Sequence, residues 1–78
     1  MTIKNEFESL THQYLDVLYT RASELEAEMP RVEVLVQDTV LKAFESFASF
    51  RQNEDFKAWL LSLLDDVVYN QRRHRHAA

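Results

Sequence analysis

The sequence predicts an all-α fold, a compact bundle of three helices, with four as the alternative. Three observations lead there. Apolar residues recur at spacings of three and four along three separate stretches, the period of helices with one buried face. The 78 residues include no Gly, which leaves nothing to build tight hairpin turns or phosphate-cradling glycine loops. The one Pro, Pro30, falls between the first two stretches, where it punctuates the chain. A chain of this length makes a single domain, 1–78, and its 46% apolar content is ample for one core. A domain this small buries only about 60% of its unfolded surface, so modest stability is expected.

The first helix is expected from about Asn5 to Glu28. Asn5 and Glu8 have the spacing of a capping box. Phe7, Leu10, Tyr14, Val17 and Leu18 form its apolar stripe, continued by Ala22 and Leu25. Glu24, Glu26 and Glu28 put negative charge where the helix dipole disfavours it, so the last turn should fray. Pro30 disfavours helical geometry at Met29 and suits the first position of a new helix. That second helix should span Arg31 to Ser46 and bury Val32, Leu35, Val36, Thr39, Val40, Ala43 and Phe44. Asp38 and Lys42 stand four apart in the favourable order for an ion pair. Val34 and Leu41 fall off the stripe, at the core edge or in an apolar patch for a partner or a second copy.

Ser46 to Gln52 reads as the connection, with serines that favour turns. Phe47 and Phe50 within it either plug the end of the bundle or face a partner. The third helix is expected from Asn53 to Arg75, with Asn53 as N-cap and Glu54 and Asp55 in the first turn. Phe56, Leu60, Leu63 and Val67 define its core face, widened by Trp59, Leu64 and Val68. It should be the most buried helix. Its far end changes character, because Arg72, Arg73 and Arg75 make a cationic tip beside His74 and His76.

The net charge is −4, unevenly spread. Residues 1–71 carry all thirteen acids against six bases, while residues 72–78 carry three arginines and no acid. An acidic body repels nucleic acid unless contact is confined to the basic end. Arginines at a helix C-terminus also simply complement the dipole, and both readings stand at this point. The absence of Cys excludes disulfides and thiolate chemistry and fits a cytoplasmic protein. No apolar run approaches the roughly 20 residues needed to cross a bilayer, and the N-terminus lacks the apolar segment of a signal peptide. No enzyme constellation stands out. Asp65 and Asp66 point about 100° apart on a helix and do not make a catalytic dyad. His74 and His76 make a poor metal pair, so no metal and no cofactor is expected.

In the second and third helices V-L-V-Q-D-T-V-L-K-A-F, then F-R, then F-K-A-W-L, then N-Q-R-R resembles region 2 of bacterial sigma factors of the extracytoplasmic-function group. Leu35, Val36, Gln37, Asp38, Thr39, Leu41, Lys42, Ala43 and Phe44 carry the likeness. So do Phe50-Arg51, Phe56 to Leu60, Asn70 and Arg73. The first helix is similar through Phe7, Leu10, Tyr14, Leu18 and Tyr19. The resemblance implies a sigma domain 2-like fold. It implies docking of the polar face of the second helix on the clamp helices of the largest subunit of core RNA polymerase. By position Gln37, Asp38, Lys42 and Glu45 would carry that docking. It implies recognition and melting of the promoter −10 element by the linker and third helix, with capture of a flipped base. By position Phe50, Arg51, Lys57, Trp59, Asn70, Arg72, Arg73 and Arg75 are the candidate DNA-binding residues. Trp59 fits either a core residue that shapes the pocket or a stacking platform.

The chain departs from the family pattern in places. Val34 replaces an acid, Asp65-Asp66 replace a polar or basic residue followed by Asn, and Gln71-Arg72 replace a hydrophobic residue before the arginine pair. A full sigma factor continues into a second domain, so the chain is expected to be an excised domain or a stand-alone sigma-like protein. The alternative function is a protein-interaction module of the same fold, such as a decoy for an anti-sigma factor, with little DNA binding.

Overall fold

The computed structural model describes residues 3–50 and 55–77, with side chains for 5–50 and 55–73. Helix α1 spans Ile3–Leu25, α2 spans Met29–Ser46 and α3 spans Phe56–Ala77, and a single 3-10 turn, Phe47–Ser49, follows α2. Each α-helix packs on the other two. The expected three-helix bundle is what forms; among the described residues no fourth α-helix joins it.

The core is one cluster fed by all three helices. Phe7, Leu18 and Ala22 come from α1, Val32, Leu35, Val36 and Ala43 from α2, and Phe56, Leu60, Leu63, Leu64, Val67 and Val68 from α3. Helix α3 contributes most, as its apolar pattern predicts. Two threonines are buried with them. Thr39 Oγ1 donates to the Leu35 carbonyl at 2.7 Å, the usual way for a helical hydroxyl to enter a core. Thr11 Oγ1 is buried without a hydrogen-bond partner among the described residues.

The ends of the helices differ from expectation in instructive ways. Helix α1 starts at Ile3, so Asn5 and Glu8 lie inside it and do not form its cap. It stops at Leu25, three residues earlier than expected, before two of the three glutamates that burden its C-terminus. Glu28 is the N-cap of α2, in extended geometry, and Met29 and Pro30 are its first helical residues. The Glu28 carbonyl accepts from the N–H groups of both Arg31 and Val32 at 3.0 Å, which holds this turn helical although Met29 precedes a proline. The reversal uses no left-handed residue; no described residue has positive φ.

Asp55 caps α3. Its Oδ1 accepts from the N–H of Lys57 at 3.0 Å and of Ala58 at 3.4 Å, so the carboxylate meets both the orphan donors and the positive end of the dipole. Asp55 therefore stands one residue before the helix, where the sequence reading put it inside the first turn. The expected cap, Asn53, lies outside the described residues. Phe44, expected in the core, is 46% exposed, although one edge still meets the Phe7 ring at a centroid distance of 5.3 Å.

Two stability outcomes follow. Leu64→Ala removes a fully buried side chain from the middle of the core and is expected to cost about 2–5 kcal/mol in urea unfolding. Thr11→Val removes a hydroxyl that has no partner and is expected to leave stability unchanged or raise it. A clear loss for Thr11→Val would show that the hydroxyl is bonded after all.

Candidate functional site

Helix α3 divides its circumference three ways. Leu60, Leu64 and Val67 point into the core. At about 100° per residue, Lys57, Leu61 and Arg72 lie on the flank toward α1, and Trp59, Asp66, Asn70 and Arg73 on the flank toward α2 and solvent. The candidate strand-binding residues therefore do not form one patch. Lys57 and Leu61 line an open groove with Asp16, Val17, Thr20, Arg21 and Glu24 of α1. Asn70 lines another, of about 380 Å³, with Gln71, Val67 and four residues of α2: Asp38, Leu41, Lys42 and Glu45.

That second groove brings three of the four residues expected to meet the polymerase beside one of those expected to meet DNA. Its floor is tied across the helices, because Gln71 Nε2 donates to Asp38 Oδ2 at 2.9 Å. Asp38 was expected to pair with Lys42; it takes its partner from α3 instead. The fourth residue, Gln37, is exposed on the same side of α2. Val34 and Leu41, for which the sequence left the core edge or an apolar patch open, are exposed on this surface, and Phe44, expected in the core, is the apolar member that sequence reasoning missed. Val34, Leu41 and Phe44 are 47%, 63% and 46% exposed and lie with Gln37 along one line of α2. The spacing 34, 37, 41, 44 was the available signal.

At the other end, the chain leaving α2 folds into a cluster of rings. Phe47 and Phe50 are nearly parallel with centroids 5.9 Å apart, and Phe47 meets Phe7 edge-on at 5.3 Å. Phe50 lies 4.9 Å from Trp59 and edge-on to Phe56 at 5.5 Å. Phe50 and Trp59 are both half-buried, so each keeps part of its ring on the surface. The two phenylalanines close the end of the bundle, and Trp59 sits where core and surface meet. Arg51 lies outside the described residues, as does the Arg75 side chain.

The two described arginines of the tip have different surroundings. Arg72 Nη2 donates to the Leu25 carbonyl, the last of α1, at 2.9 Å. Arg73 is exposed. Between the aromatic corner and this tip, α3 shows solvent Asp65, Asp66 and Tyr69. Among the described residues no three His, Asp or Glu side chains gather as a metal site, and no helix is long and apolar enough to cross a membrane.

The family model for sigma-70 region 2 matches residues 10–77. This takes in all of α2 and α3 and most of α1. The chain belongs to the sigma-70 region 2 family. Such a domain belongs to a transcription factor, not an enzyme, and family membership implies binding to core RNA polymerase and to the promoter −10 element. It does not favour the alternative of an interaction module with little DNA binding. No solved structure gives a significant match to the chain.

The region 2 domain carries its only Trp at the aromatic corner, which gives a direct check on that packing. Phe50→Ala uncovers the Trp59 ring and is expected to shift its fluorescence emission to longer wavelength without unfolding the domain. An unchanged spectrum would mean the two rings do not pack.

Proposed function

We propose that this region 2 domain is of the extracytoplasmic-function type, works in the cytoplasm, and joins two surfaces in promoter opening. The outer face of α2 docks on the clamp helices of the largest polymerase subunit. The aromatic corner and α3 receive the −10 element as a melted strand. The observation that carries the first half is the exposed line Val34, Gln37, Leu41, Phe44. Its spacing of three, four and three is the seam by which a helix packs into a helical partner. Glu33, Asp38 and Glu45 flank it, so a second copy of the chain would meet like charge, whereas a partner with cationic flanks would not. Gln37, Asp38, Lys42 and Glu45 then set register around an apolar centre. Such a division, apolar in the middle and polar at the rim, is usual at interfaces.

Strand recognition is assigned to Phe50, Arg51, Lys57, Trp59, Asn70, Arg73 and Arg75. Phe50 and Trp59 offer π-surface on which a base stacks. Asn70 offers an amide for a base edge, and the arginines offer charge for phosphates. Asp65 and Asp66 hold phosphates off the middle of α3. Backbone contact is thereby pushed to the two ends of the helix, roughly 20 Å apart from Trp59 to Arg73 at 1.5 Å per residue. What crosses the middle must present bases.

Two measurements test this. Leu41→Glu changes a mostly exposed position and should fold normally, yet it is expected to weaken binding to a polymerase fragment bearing the clamp helices at least tenfold. Equal binding by the variant, or none by the unaltered chain, overturns the docking half. For the strand half, a single-stranded −10 oligonucleotide is titrated at several salt concentrations. Arg73→Ala is expected to weaken binding and to flatten the slope of log K against log salt by about 0.7, one phosphate contact on a single strand. No binding at low salt overturns the strand half.

A further inference from the structure

Beyond Val68, α3 has no buried residue among those described, since Tyr69, Asn70, Arg72 and Arg73 are exposed and Gln71 is half-buried. Hydrophobic packing therefore stops a full turn or more before the tip. Two consecutive side chains take over. Gln71 reaches α2 at Asp38, and Arg72 reaches α1 at the Leu25 carbonyl. The second contact meets a need of α1. That helix has no basic residue in its last turn and no glycine after it, and it carries Glu24 there with Glu26 close behind. Its final carbonyls lack partners within the helix, and its negative end wants a cation. A guanidinium arriving from a residue 47 positions away supplies both.

We propose that Arg72 is a positioning residue: with Gln71 it clasps the last turns of α3 to α1 and α2, and so sets the angle at which Asn70 and Arg73 face a strand. This rests on the reading of α3 as strand-facing. Arg72 does not contact phosphate itself. Its neighbour Arg73 points about 100° away and makes no hydrogen bond or ion pair among the described residues, so it is the arginine left to do so. The substitution of Gln71-Arg72 for the hydrophobic residue expected before the arginine pair gains a physical sense. A contact that would have held the tip by burial is replaced by two polar bonds, one to each neighbouring helix.

The experiment compares Arg72→Ala, Arg72→Lys and Arg73→Ala in the full chain. Amide hydrogen exchange reads the clasp. Arg72→Ala is expected to speed exchange from Tyr69 onward at least threefold while leaving Leu60 to Leu64 unchanged, and Arg72→Lys, which keeps a donor and a charge, to recover part of the protection. Strand titration against salt reads the role. Arg72→Ala is expected to lower affinity severalfold with the salt slope intact, whereas Arg73→Ala flattens it. Unchanged exchange in Arg72→Ala overturns the clasp. A slope reduced by about 0.7 in Arg72→Ala overturns the positioning role, because it marks a direct phosphate contact. If the unaltered chain binds no strand, the promoter reading fails and the strand-positioning claim with it, and the exchange data alone still decide the clasp.

Discussion

Leu60, Leu64 and Val67 must all be buried at once, between two helices that approach α3 from different sides. This requirement governs what every other residue of α3 is able to do. A helix with its core face fixed has no freedom to rotate, because turning it by one residue would swing a buried leucine into water at a cost of about 1.5–3 kcal/mol. Lys57 and Arg72 are thereby sent toward α1, and Trp59, Asn70 and Arg73 toward α2 and solvent. The partition of charged and aromatic groups is a consequence of apolar packing, and the surface chemistry inherits its geometry from the interior.

The same packing brings α2 against α3 so that one groove holds residues of both proposed functions. Asp38 of α2 accepts a hydrogen bond from Gln71 of α3. The acidic character of the body fits this arrangement. An acidic surface keeps the domain from adhering to DNA at large, and the one stretch with cations and no acid is the end of α3. In the proposed reading, strand recognition then depends on bases and aromatic surface more than on bulk charge.

The three helices, most of the core and the family were legible in the sequence, because each rests on periodicity or on a motif of fixed spacing. Phe56, Leu60, Leu63, Leu64, Val67 and Val68 all lie in the core as their pattern indicates. Helix ends were less legible. Asn5 looked like a cap but lies within α1, and Asp55 was placed two positions too far in, since Asn53 and Asp55 are both cap-competent and local sequence does not rank them. Phe44 looked buried because it continues the α2 stripe, yet it is 46% exposed and meets the Phe7 ring on one side. The contacts of Gln71 and Arg72 were not legible at all. They join residues 33 and 47 positions apart, and only the assembled bundle brings them together.

The missing glycines matter to the denatured chain as well as to the native one. No described residue has positive φ, so the reversal from α1 to α2 is made from conformations open to any L-residue. A chain without glycine explores less conformational space when unfolded and surrenders less entropy on folding, about 0.5–1 kcal/mol for each alanine that stands where a glycine otherwise would in a helix. For a domain too small to rely on its interior alone, part of the native state's advantage lies in the poverty of the alternative.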